Sequence, residues 1–101
     1  MIKVVVLHPN ANLAYNRTSH APLTAALPGL RKYTISEAMP DPMTSEPPMY
    51  NLINTLYFDD IESYKAAFSS PEVVVAKADV KNFSDLSVAV TLVTVEADIP
   101  V

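Results

Sequence analysis

The sequence predicts an α+β fold of the ferredoxin-like kind, β-α-β-β-α-(α)-β, on three observations. Short β-branched runs alternate with helix-patterned stretches in that order. The first and last strands are apolar on both faces, which suits an antiparallel sheet covered twice. The chain has 101 residues, the size of one domain, and half of them are hydrophobic. We therefore read residues 1–101 as a single domain.

Ile2 to Leu7 is a short β-branched run and reads as β1, ended by His8-Pro9-Asn10. Asn10 or Asn12 can cap the helix that follows. In α1, Leu13, Asn16, His20, Leu23 and Leu27 step by three and four and share one face. Pro22 removes a backbone donor, and its ring opposes the carbonyl of Thr18, so the helix should kink or restart there. Leu27-Pro28-Gly29 ends it. Leu30 to Met39 is β2, with Tyr33, Ile35 and Met39 on one face. Residues 40–48, PDPMTSEPP, hold four prolines and form an irregular loop. Met49 to Phe58 is β3.

Asp59 reads as the cap of α2, with Glu62 completing a capping box. Ile61, Tyr64 and Phe68 set the apolar side of that helix. In SSPEVVVAKADV the valines favour a strand. Ser70 as cap, Pro71 in the first turn and Glu72 after it favour a short helix, which is preferred. KNFSDLS is loop, and Val88 to Ala97 is β4. In β4, Val88, Val90 and Leu92 point one way, and Ala89, Val93 and Val95 the other. In β1, Val4 and Val6 oppose Val5 and Leu7. Helices cover only one face, so a homodimer through the open face of the sheet is expected.

Composition excludes several classes of function. Eleven acids against seven bases give a net charge of −4 with no basic run, so nucleic acid is not an expected partner. There is no cysteine, hence no disulfide framework or thiolate. No apolar run reaches the ~20 residues of a membrane span, and no signal-peptide pattern opens the chain, so a cytoplasmic protein is expected. Gly29 is the only glycine, which removes the Rossmann and P-loop fingerprints. Two histidines without cysteine make a weak metal case, and Asp59 and Asp60, which could add carboxylates, are better explained as a helix cap. No cofactor or metal is expected.

The candidate working residue is His20, turned toward the sheet by the α1 stripe. Most lone histidines are structural. A neutral imidazole facing a pocket is also a general acid/base. Asn16, one turn earlier, is placed to bond it and fix its tautomer. Tyr15, Tyr33, Tyr57 and Phe83 are candidate pocket aromatics, and Asn54 is a polar residue in a near-central strand that must find a partner. His8 reads as an edge or loop histidine. No Ser-His-Asp set assembles, which argues against nucleophilic hydrolysis.

Tyr15-x4-His20-Ala21-Pro22-Leu23, followed by Leu27-Pro28-Gly29-Leu30-Arg31-Lys32-Tyr33, resembles the EthD family, named for ethyl tert-butyl ether degradation. The similarity continues through MPDPM at 39–43, LYFDD at 56–60, SSPE at 69–72 and NF at 82–83. It implies a dimeric α+β barrel of ferredoxin-like subunits. The wider superfamily includes cofactor-free monooxygenases, muconolactone-type isomerases, polyketide cyclases and some haem enzymes. The family's histidine and tyrosine fall on His20 and Tyr15. Asn16 stands where the pattern often has a second tyrosine, and Asn12 and Leu13 where it has an aromatic.

The expected function is that of a cofactor-independent oxidoreductase or isomerase, with His20 as acid/base. Its ligand would be a small apolar, aromatic or lactone-like molecule, with Tyr15, Asn16, Tyr33, Asn54, Tyr57 and Phe83 around it. The alternative is a non-catalytic ligand-binding or accessory protein of a degradation pathway.

Overall fold

β1 runs Ile2–His8, one residue beyond the sequence expectation. The extension matters because side chains alternate along a strand. Ile2, Val4, Val6 and His8 form the even series on the helix side. His8 is thus a buried strand residue, only 2 % exposed, and not a loop histidine. A computed structural model describes all of residues 1–101.

The sheet order is β2-β3-β1-β4 with every neighbouring pair antiparallel. That is the ferredoxin-like arrangement, in which β1 and β2 are linked by a helix across the intervening β3. β2 spans Lys32–Glu37, β3 Leu52–Phe58 and β4 Val90–Val95, each shorter than the expected strand. Proline-rich chain trims β2 and β3. At β4, a 3₁₀ turn at Leu86–Val88 takes the expected first residue.

Helix α1 spans residues 13–25 in three parts: an α-turn Leu13–Tyr15, a π-turn Asn16–His20 and an α-segment Ala21–Ala25. Asn12 caps it, its side-chain oxygen accepting from Tyr15 N–H. The restart expected at Pro22 takes the form of this widened turn, in which Ala21 N–H donates to the carbonyl of Asn16. A π-turn adds room where the proline ring would strike the carbonyl four residues back. Gly29 turns the chain into β2 at φ 75°, a conformation costly for a residue with a Cβ.

Helix α2 is Ile61–Ala67, capped by Asp60, which accepts from Ser63 N–H at 2.8 Å. Asp59, the expected cap, instead pairs with exposed Arg31 at 3.1 Å. The extended backbone of Asp60 makes it the last non-helical residue. Tyr64 and Phe68 pack on the core as expected, but Ile61 is 52 % exposed. Helix α3, Pro71–Asp79, begins as expected: Ser70 Oγ accepts from Val73 N–H.

Two apolar clusters lie between helices and sheet. The larger joins Ile2, Val4, Leu56 and Phe58 of the sheet to Leu27, Ala67 and Val73 of the helical layer. The smaller holds Ala11, Leu52, Val80 and Phe83. The helices leave β4 bare on both sides: Leu92 on the open face and Val93 on the helix side are each 49 % exposed. No helix is long and apolar enough to cross a membrane.

Candidate functional site

The two clusters do not close on each other. A cavity of about 100 Å³ separates them, with walls that include Val6 and Leu56 of the sheet, Leu27 after α1, and Val73 and Val80 on the α3 side. Six polar residues line it: His8, His20, Thr24 and Asn54, which are buried, and Lys77 and Thr91, which are exposed. The space is partly open to solvent, which suits it to a small cyclic molecule seated at its mouth.

The π-turn explains why three of the α1 side chains face inward together. In a regular helix each step of four residues overshoots a full turn by about 40°, so Asn16 and Thr24 would stand about 80° apart. The widened turn absorbs that drift. Asn16, His20 and Thr24 are all buried.

His20 is held at both ring nitrogens. Nδ1 lies 3.0 Å from Asp79 Oδ2, and Nε2 lies 3.1 Å from Thr24 Oγ1. An ionised carboxylate only accepts, so the assignment follows from chemistry: Nδ1–H donates to Asp79, and Nε2 accepts from the Thr24 hydroxyl. Asp79 also accepts from the Tyr15 hydroxyl at 2.7 Å and from Asn82 Nδ2 at 2.9 Å. These bonds, Tyr15 foremost, hold its carboxyl below the ordinary aspartate value. The same bond raises the Tyr15 phenol above its own. Phe83 lies against the ring of His20, centroids 4.4 Å apart, and against Tyr15 at 6.2 Å.

Asn16 does not bond His20. It forms a reciprocal amide pair with Asn54, at 3.3 and 3.1 Å, which satisfies two buried amides at once. Asp79 fills the tautomer-fixing place expected of Asn16. Tyr33 Oη reaches Asn54 Oδ1 at 3.5 Å, and burial pushes its phenol up.

Of the residues expected around a ligand, Asn54 joins His20 on the cavity wall. Tyr15, Asn16, Tyr33 and Phe83 form the layer that holds those two. Tyr57 stands apart. It pairs with Lys3 and Lys32 across the sheet, and their amines lie 5.9 and 5.2 Å from its ring, on the face away from the helices. Strand parity separates it from Asn54: three residues along β3 is an odd step.

Asp79 and Thr24 were not singled out by sequence, and His8 was read as an edge or loop histidine, although each carried a signal. Asp79 is an acid on the last residue of a helix, where the dipole disfavours it. Thr24 is one turn past His20. His8 continues the even series of β1.

The order Thr24, His20, Asp79 gives a hydroxyl, an imidazole and a carboxylate in sequence. A nucleophile triad needs an oxyanion hole beside its hydroxyl as well. Thr24 lies within a helix and not on the strand-to-helix turn that exposes such a nucleophile. No group of three or more His, Asp or Glu residues is placed to hold a metal ion.

A family model described as the EthD domain matches residues 7–87. The chain belongs to the EthD family. A Rhodococcus erythropolis relative, described as an uncharacterized 11.0 kDa protein in the thcB-thcC intergenic region, is 28 % identical over 102 residues, covering 98 % of this chain and 97 % of that one. A solved EthD-family protein from Bacillus halodurans matches this EthD chain with a TM-score of 0.83 at 24 % identity, covering 96 % and 99 %. The fold is shared more widely. A dimeric ferredoxin-like protein from Thermobifida fusca has a TM-score of 0.68 at 17 % identity, covering 92 % and 88 %. SnoaB of Streptomyces nogalater, described as a cofactor-independent oxygenase, has 0.68 at 12 %, covering 97 % and 93 %.

Proposed function

We propose that this EthD-family protein binds a small, mostly apolar ring compound, aromatic or lactone-like, in the cavity between its helices and sheet. In this reading it acts as a cofactor-independent isomerase or oxidoreductase with His20 as acid/base. One observation carries the reading: an imidazole fixed by a carboxylate stands on the wall of an apolar cavity. Asp79 holds Nδ1–H and steadies positive charge on the ring, so Nε2 is the atom that takes a proton. The Thr24 hydroxyl hydrogen must first turn from Nε2. Thr18 shows the alternative on the same helix, its hydroxyl donating to the carbonyl of Ala14 at 2.8 Å.

The chemistry is then proton abstraction beside a carbonyl. The C–H bond breaks, its proton passes to Nε2, and the electron pair moves to oxygen as an enolate. Isomerisation returns the proton at the far carbon of a conjugated dienolate. In oxidation the enolate carbon gives one electron to dioxygen, the two radicals join in a C–O bond, the peroxide takes the proton from Nε2, and loss of water leaves a new carbonyl. A suitable probe is 2-coumaranone, an aromatic lactone with an acidic CH₂. In D₂O at pH 7 its CH₂ proton signal should disappear at least about 10²-fold faster with the wild type than with His20→Gln. Equal rates would remove His20 from the chemistry.

The bond from Thr24 to Nε2 favours a second reading, a binding or accessory protein whose imidazole only orients a ligand. Saturable binding of the same probe without faster exchange would establish it.

For the assembly, we propose a homodimer through the open face of the sheet. Leu92 leaves apolar surface on the open face of β4 that a second copy would cover, and the tail after β4 exposes Ile99 and Val101 as well. Sedimentation at micromolar concentration should show the dimer, and Leu92→Lys should shift it toward monomer. A wild type that sediments only as monomer would refute the assembly.

A further inference from the structure

The acid/base scheme leaves four polar cavity residues without a role: Asn54 is spent on its pair with Asn16, Lys77 and Thr91 are exposed, and the fourth is His8. It is 2 % exposed and ends β1 on the helix side. Its Nδ1 lies 2.9 Å from Ser84 Oγ. Its Nε2 has no protein partner, although every fully buried side-chain polar atom in the chain has one. Nε2 is therefore not sealed in. The ring lines the cavity, and that is the space its free nitrogen meets. His8 also packs edge-on against Phe83 at 5.2 Å, the aromatic that touches His20. Two imidazoles thus rest on one phenyl ring and line one cavity.

We propose that His8 donates its Nε2–H to the carbonyl oxygen of the ligand, which is therefore a small, enolisable cyclic ketone or lactone. The proposal rests on the cavity being a ligand site and adds the group that selects the carbonyl. This role requires the Ser84 hydroxyl to donate to Nδ1, which leaves the ring hydrogen on Nε2. Burial, with the charge of nearby His20 adding to it, pushes the His8 pKa down to about 4. The ring is neutral at pH 7. A neutral imidazole keeps its proton while polarising a carbonyl, the role that a histidine fills in triosephosphate isomerase. One histidine would then take a proton from carbon while the other steadies the oxygen that receives the electron pair.

The probes are 2-coumaranone and 2,3-dihydrobenzofuran, which has the same ring system without the carbonyl. ¹⁵N NMR of histidine-labelled protein reads tautomer and hydrogen bonding at both rings during titration. The wild type should carry the hydrogen of His8 on Nε2 and bind the lactone roughly two- to tenfold tighter than the ether. His8→Asn keeps an amide near Ser84 but nothing at Nε2, so the preference should vanish. His8→Gln places an amide donor at the Nε2 position and should restore part of it. A preference surviving in His8→Asn would overturn the proposal. So would lactone binding that moves the His20 signals and leaves His8 silent, which would spare the acid/base reading. The NMR test on the wild type stands even if a variant fails to fold. If neither probe binds, both readings fall.

Discussion

Replacing Asn16 with leucine should destabilise the protein, and replacing both Asn16 and Asn54 with leucine should destabilise it less. Asn16 is fully buried and Asn54 is 4 % exposed. They share two hydrogen bonds, and each amide uses one donor and one acceptor on the other. Leucine shares the branched skeleton of asparagine and is somewhat bulkier, so the substitution opens no cavity. What remains after Asn16→Leu is Asn54 with its Nδ2 orphaned, held only by the long contact from Tyr33. An unsatisfied buried amide costs about 1–3 kcal/mol. Removing the second amide removes that penalty, because two apolar groups of the same shape replace a matched polar pair. The predicted coupling is therefore about 1–3 kcal/mol, with the double variant more stable than either single one. Urea unfolding followed by circular dichroism, at a fixed protomer concentration, measures it from midpoints and slopes. Additive losses, with coupling below about 0.5 kcal/mol, would show that the amide pair does not hold α1 to β3.

Three further outcomes are expected. Stability should fall on acidification between about pH 6.5 and 4, because His8 is neutral when folded and protonates more readily when unfolded. The contribution is complete above the unfolded value and lost below the folded one. The full shift corresponds to about 3 kcal/mol, and water in the adjoining cavity reduces this to about 1–2 kcal/mol. Denaturation across that window should flatten in His8→Asn. Asp79→Asn should move hydrogen from Nδ1 to Nε2 of His20 in ¹⁵N spectra and slow probe exchange severalfold or more, whereas an unchanged tautomer would exclude Asp79 as the positioning group. Asp60→Ala should cost about 1 kcal/mol as a lost cap and Asp59→Ala much less, with the order read from thermal melts.

The order of elements was legible because each strand and helix announces itself locally. Ser70-Pro71-Glu72 resolved the valine run as a helix, since capping is decided within four residues. The inward turn of His20 was legible from the α1 stripe. The partners of His20 and Asn16 were not, because Asp79 and Asn54 lie 59 and 38 residues away in sequence. Only the packing of α3 and β3 against α1 chooses between an amide and a carboxylate for the imidazole. Tyr57 was drawn into the site by residue type, although counting along β3 from Asn54 places it on the opposite face. His8 was undervalued because Pro9 seemed to end the strand a residue early. The choice of Asp59 over Asp60 missed by one position, a typical slip at helix ends.

The π-turn has a consequence for how this helix tolerates change in length. Residues 13–15 and 21–25 are ordinary α-helix, and one surplus residue is stored between them. Deleting Arg17, an exposed residue of that turn, would let the segment close into regular helix, leaving Asn16 and His20 three residues apart and about 60° out of line. Tyr15 and Asn16 would leave Asp79 and Asn54, or His20 and Thr24 would leave the cavity. Yet no buried side chain would have been altered. The working geometry of α1 is thus stored in the number of its residues as well as in their identities.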